Sequence, residues 1–95
     1  MVARNYRSPR RRGEIDLIAY EGDTLCFVEV KTRTSHAVKP AEAAVDDAKQ
    51  KELRAVAREY MQRMDPVPVF RFDVVSIYYE GSAPADITVF KHAFD

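Results

Sequence analysis

Fifteen Lys and Arg balance fifteen Asp and Glu across 95 residues, of which 46% are hydrophobic and 32% charged, values that fit a single globular domain and argue against disorder. The longest uncharged run is the six residues 74–79, far short of the roughly 20 apolar residues of a membrane helix. A lone cysteine excludes an internal disulfide, and the opening residues hold no apolar signal segment, so a cytoplasmic protein without membrane contact is expected.

The zero net charge hides a split. Residues 1–13 carry Arg4, Arg7, Arg10, Arg11 and Arg12 and no acid, a charge of +5, and residues 14–95 carry −5. A basic arm of this kind suits an anionic partner such as nucleic acid, or is simply a solvated segment. Along the chain, residues 2–7 form a candidate strand and 8–13 a loop marked by Ser8-Pro9 and Gly13. Residues 14–21 and 24–32 read as two strands joined by Gly22-Asp23, a two-residue hairpin loop with Gly at its first position. Residues 33–39 read as a loop. Pro40 suits the first turn of a helix expected to reach about residue 64, with Leu53, Val56, Ala57, Tyr60, Met61 and Met64 on one face. Extending that face backward reaches Lys49, Gln50, Asp46 and Val45, and Asp65-Pro66 stops the helix. Residues 70–79 read as a central strand and 87–90 as a short final one. The order β-β-β-α-β-β predicts one α+β domain over residues 1–95. Its mixed central sheet of about five strands would have three meandering strands and a helical crossover to a parallel fourth.

The hairpin carries the chemistry. With Gly22 and Asp23 as the loop, Glu21 faces Thr24, Asp16 faces Glu29 and Glu14 faces Lys31, all on one face because side chains alternate with period 2. Two carboxylates opposite each other repel and weaken the pairing, a broken local rule that points to function. A divalent cation that prefers oxygen ligands, Mg²⁺ or Mn²⁺, is the natural compensation. Lys31 is then placed to orient an attacking water or to stabilise charge on a phosphate, and Gln50, on the helix face toward the sheet, to brace Lys31 or a water. The plainer reading is an exposed hairpin face with a Glu14–Lys31 ion pair worth about 0–1 kcal/mol, which leaves Asp16 against Glu29 unexplained. Cys26 and Asp73 read as structural, Cys26 in the core and Asp73 paired with a base or backbone. His36 and His92 do not cluster with other metal-ligand types.

Gly13-Glu14-Ile15-Asp16-Leu17-Ile18, the hairpin, and Phe27-Val28-Glu29-Val30-Lys31-Thr32 together resemble the PD-(D/E)XK nuclease core. Asn5-Tyr6-Arg7, Lys49-Gln50-Lys51 and Arg71-Phe72-Asp73-Val74-Val75-Ser76-Ile77 extend the likeness to the bacterial YraN-like family, predicted endonucleases similar to archaeal Holliday-junction resolvases. The resemblance implies a restriction-endonuclease-like core and Mg²⁺- or Mn²⁺-dependent hydrolysis of DNA, branched or otherwise structured. It makes Asp16 and Glu29 the metal-binding carboxylates and Lys31 the catalytic lysine. Gln50 matches the additional polar residue on the following helix, and Glu14 the acid two residues before the aspartate. Ile15-Asp16 stands where the superfamily's name has Pro-Asp. Relatives usually carry an N-terminal helix before the Arg-Asn-Tyr strand, often with a glutamate that completes the metal site; the present sequence begins at the strand. Either the start is truncated or misassigned, or the helix is absent; its absence would uncover one sheet face and favour a homodimer. A catalytically inactive nucleic-acid-binding module on the same scaffold is the alternative, and a small protein-interaction domain a third.

Beside such a core, Arg7, Arg10, Arg11, Arg12 and Arg33 are the expected phosphate-binding residues, which position DNA without reading its sequence. Replacing Arg10, Arg11 and Arg12 with Ala is expected to weaken DNA binding and to flatten its salt dependence, by roughly 0.9 in log–log slope for each phosphate no longer neutralised. Titrations at low and moderate salt check this, and unchanged binding at both would remove the arm from the interface.

Overall fold

The computed structural model describes residues 2–10, 13–33 and 45–95, with Arg33 and Ala85 described by backbone alone. Five strands, β1 (Ala3–Arg7), β2 (Glu14–Glu21), β3 (Thr24–Arg33), β4 (Phe70–Glu80) and β5 (Ala83–Phe94), lie side by side in chain order. One helix, α1 (Asp47–Met61), falls between β3 and β4. The pairings β1–β2, β2–β3 and β4–β5 are antiparallel and β3–β4 is parallel. This is the mixed sheet and the β-β-β-α-β-β order that the sequence predicts. No helix among the described residues is long and apolar enough to cross a membrane.

The core lies between α1 and one face of the sheet. Leu53, Val56, Ala57 and Met61 bury the predicted helix stripe against Ile18, Phe27, Phe72 and Val74. Phe27 is 2% exposed and meets Tyr60, Phe70 and Phe72 with ring centroids 6.0, 6.2 and 5.6 Å away. Burying such a ring stabilises the domain by about 1.5–3 kcal/mol, and each favourable ring pair adds roughly 0.5–1.5 kcal/mol. On the other face, Val28, Val30, Val75 and Ile77 are half-buried and Ile87 and Val89 exposed, and no described element covers them.

Two boundaries differ from expectation. The described helix starts at Asp47, not near Pro40, because Asp46 caps it: the Asp46 carboxylate accepts from the Lys49 backbone N–H at 2.8 Å. Residues 40–44 of the predicted helix fall outside the described residues. The last strand runs over Ala83–Phe94, not only 87–90. Pairing steps from Val74↔Phe90 to Phe72↔Phe94, so β5 bulges, and His92 in the bulge adopts φ 56°. The buried Asp73 carboxylate stabilises the bulge, accepting from the His92 backbone N–H at 3.0 Å and from Arg71 Nε at 2.9 Å. Asp73 thus has the structural role expected of it.

Two backbone positions set where the helix sits. Gly13, at φ 120°, lies under α1; a Cβ there would be 2.9 Å from Glu52 Cγ and 3.4 Å from Val56 Cγ2. Glycine therefore allows the start of β2 to approach the helix closely. Asn5 has φ 51°, in the left-handed region that asparagine tolerates. Ala3 and Tyr6 both pack on the core, paired with Ile18 and Ile15, although a regular strand would put residues three apart on opposite faces. The turn of the backbone at Asn5 rephases the strand between those two pairs.

Candidate functional site

The hairpin forms in the predicted register from Glu21↔Thr24 to Leu17↔Val28. Asp16 comes next. Its Oδ2 accepts from the Val30 backbone N–H at 2.8 Å, so the carboxylate takes the place of a ladder partner and is fixed at the seam of β2 and β3. Such a charge-assisted bond from a backbone donor is short and strong.

Glu29 is buried, with its side chain 8% exposed and on the α1 side of the sheet. Its carboxyl is pushed up from 4.5 to about 7, first by burial, then by a hydrogen bond with Asp16 and by the Asp16 charge; Lys49 and Lys31 oppose the rise. Lys31 Nζ lies 3.6 Å and Lys49 Nζ 3.9 Å from Glu29 Oε2, and Lys49 Nζ is also 3.8 Å from Glu52 Oε2. Two carboxylates and two ammonium groups therefore meet where the N-terminal turn of α1 crosses β3.

The structure brings Asp16 to Glu29 and Lys31 to Glu29, although the ladder itself ends one pair earlier, at Leu17↔Val28. Glu14 does not join them. It pairs with Arg7, its cross-strand partner on β1, at 3.4 Å, and the expected Glu14–Lys31 pair does not form. The reason lies in β2 itself: its pairing with β3 ends at Leu17↔Val28, and beyond that point Ile15, not Glu14, is buried in the core beside Tyr6. Gln50 lies on the expected helix face, and its Nε2 donates to the Val45 carbonyl at 3.0 Å, tying the helix to the chain that enters it. Lys49 is the residue that sequence reasoning reaches without giving it a role. Its signal is the spacing of four to the buried Leu53, which places it over the sheet.

Of the expected phosphate-binding residues, Arg7 has a side chain 80% exposed, and Arg10 is exposed beside the C-terminal half of α1. Arg10 shares one cleft with Arg58 and Gln62 and another with Tyr6, Tyr60 and Arg63. Lys49 and Arg58 are separated by nine residues of sequence, on the order of 14 Å along the helix, so the basic clefts lie at the far end of α1 from the carboxylates. Arg11, Arg12, His36 and the Arg33 side chain lie outside the described residues. Cys26 is buried and its thiol is pushed up by desolvation, and His92 Nε2 lies 3.0 Å from Asp95 Oδ1. Among the described residues no three Cys, His, Asp or Glu side chains converge as a ready-made metal cage.

Fold and site together define an α+β domain with a buried glutamate, a half-buried aspartate beside it and two lysines at the junction of helix and hairpin. The chain belongs to the UPF0102 family, whose model, described as "Uncharacterised protein family UPF0102", matches residues 1–77. It is 47% identical over 94 residues to a UPF0102 protein of Koribacter versatilis, covering 99% of this chain and 65% of that relative. A UPF0102 protein of Chlorobaculum tepidum is 45% identical over 78 residues, 81% of this chain and 59% of that relative. One from Nitrosospira multiformis is 40% identical over 95 residues, 100% of this chain and 76% of that relative. The chain thus spans roughly three-fifths to three-quarters of these relatives.

The burial of Glu29 has a pH signature. Its carboxyl is raised in the folded state, from 4.5 to about 7, so between these values the folded protein holds more protons than the unfolded chain. The stability of the metal-free protein should therefore be fully present below about pH 4.5 as far as this group is concerned, and should fall as pH rises through 7. The expected loss is about 2 kcal/mol, discounted for residual solvent contact. Thermal unfolding in EDTA across this range checks it: Glu29→Gln should remove most of the slope, and an equal slope in wild type and variant would contradict the assignment.

Proposed function

We propose that this protein is a metal-dependent DNA endonuclease of Holliday-junction-resolvase type that hydrolyses phosphodiester bonds. The observation that carries this reading is the placement of Glu29. A carboxylate is buried beside a second carboxylate at a cost in stability, and among the described residues two partly exposed lysines offset it. A scaffold tuned for folding alone has no use for this arrangement. It is suited to holding a cation and handling a phosphate.

The donor set fits Mg²⁺ or Mn²⁺. These hard cations take oxygen ligands, and Mg²⁺ is commonly held by one or two protein carboxylates, with waters and substrate phosphates completing the shell. Two adjacent carboxylates match that pattern. Asp16 and Glu29 would hold the ion, and its charge would offset the negative charge that develops on the phosphoryl oxygens.

The chain's own residues supply the rest. The Val30 N–H fixes Asp16, so one ligand is positioned before anything binds. Lys31 has a flexible stem and a side chain 29% exposed, and its ammonium orients the attacking water and stabilises charge on the phosphate. Its Nζ lies 3.6 Å from Glu29 Oε2, a placement that suits an electrostatic role. Lys49 adds a second positive charge at the same carboxylate. The exposed Arg7 and Arg10, with Arg58 and Arg63 along α1, provide a path for a phosphate backbone running away from the carboxylates.

Incubation with branched, flapped and linear DNA, with and without Mg²⁺ or Mn²⁺, tests the proposal. Cleavage should require the metal, and Asp16→Ala should lower it by a factor of roughly 10² or more. Binding without cleavage would favour the alternative, an inactive nucleic-acid-binding module on the same scaffold. Absence of binding at low salt would contradict both.

A further inference from the structure

Ser76 of β4 is the Cα partner of Lys31 in the parallel ladder between β3 and β4, two positions beyond Glu29↔Val74. Val74 is buried against α1, and Ser76, two residues on, faces the same side of the sheet. Lys31 stands in the same relation to Glu29. Ser76 is 2% exposed, and its hydroxyl has no hydrogen-bond partner among the described residues. A buried hydroxyl without a partner is costly and uncommon in folded proteins, and alanine or valine would fill the strand position without that cost.

The group beside it has donors to spare. An ammonium carries three N–H donors, and Lys31 has one ion-pair partner among the described residues, Glu29 at 3.6 Å. Neighbouring strands lie roughly 4.8 Å apart, well within the sweep of a lysine stem. We propose that Ser76 is a positioning residue for Lys31: its hydroxyl is the acceptor to which the ammonium turns when Glu29 is engaged by a cation. This rests on the nuclease reading above and adds to it a residue to which the sequence reading gives no role. With Glu29 holding a cation, the ammonium loses its partner and is repelled by a like charge. A second acceptor on the same face keeps it over the site instead of releasing it to solvent. The orphan hydroxyl is then one half of a pair that forms only in the working state.

Ser76→Val and Ser76→Thr are nearly equal in volume and differ in the hydroxyl, so their difference isolates the proposed bond from packing. In EDTA, Ser76→Val should melt no lower than Ser76→Thr. With Mn²⁺ as the probe, calorimetry should show several-fold weaker binding for Ser76→Val. Cleavage should show a kcat lowered about tenfold with KM unchanged, the range typical of outer-shell partners, and Ser76→Thr should retain both. In a Lys31→Met background the two variants should coincide, because the group they act on is gone. Equal Mn²⁺ affinity and kcat for the two variants, or a difference that survives in Lys31→Met, would overturn the assignment while leaving the nuclease reading intact. Wild-type protein that takes up no Mn²⁺ would overturn both.

Discussion

The rest of the site depends on one unfavourable interaction, the burial of Glu29 beside Asp16. Water is withdrawn from a carboxylate whose nearest acidic neighbour disfavours its charged form, and its carboxyl rises to about 7. Two lysines reduce the penalty without removing it. Both keep about a third of their side-chain surface in solvent, so neither forms a sealed ion pair with Glu29. A closed, fully paired cluster would be more stable, and it would leave no room for a cation or a phosphate.

The fold maintains this arrangement through features that have little to do with acids. Gly13 lets β2 begin directly beneath α1, which brings the helix down over the hairpin. Asp46 caps the helix, so that Lys49 sits on its first turn, within reach of Glu29. β1 and β2 keep one register and change phase together, at Asn5 in β1 and around Asp16 in β2, so that Ile15 enters the core while the Asp16 carboxylate bonds to the Val30 N–H at the seam. The apolar cluster around Phe27 supplies the stability that a buried, imperfectly paired acid draws upon.

Much of this is legible in the residues. The Gly22-Asp23 loop fixes a two-residue hairpin whose register holds to Leu17↔Val28 and carries Asp16 up to Glu29, where its carboxylate bonds to the Val30 N–H instead of the ladder continuing. The helical stripe from Leu53 to Met61 follows from a period of 3.6. What is not legible depends on single backbone torsions and long-range interactions. Strict alternation puts Glu14 opposite Lys31, and nothing local in Glu14-Ile15-Asp16 announces that the ladder with β3 ends at Leu17. The full length of β5 is hidden because Lys91-His92 reads as a strand end, whereas the Asp73 carboxylate, 19 residues away, stabilises a bulge there. Ser76 looks like ordinary filler within an apolar strand until its burial and unpaired hydroxyl are seen.

We propose that the carboxylate pair is kept because a cation uses it. The most direct test is the unfolding temperature at pH 8 with increasing Mn²⁺, for wild type and Asp16→Asn. A ligand that binds only the folded state stabilises it by about 2.7 kcal/mol at a hundredfold excess over Kd. Wild type should gain stability of that order and Asp16→Asn little or none. An unfolding temperature indifferent to Mn²⁺, or an equal rise in the variant, would contradict it.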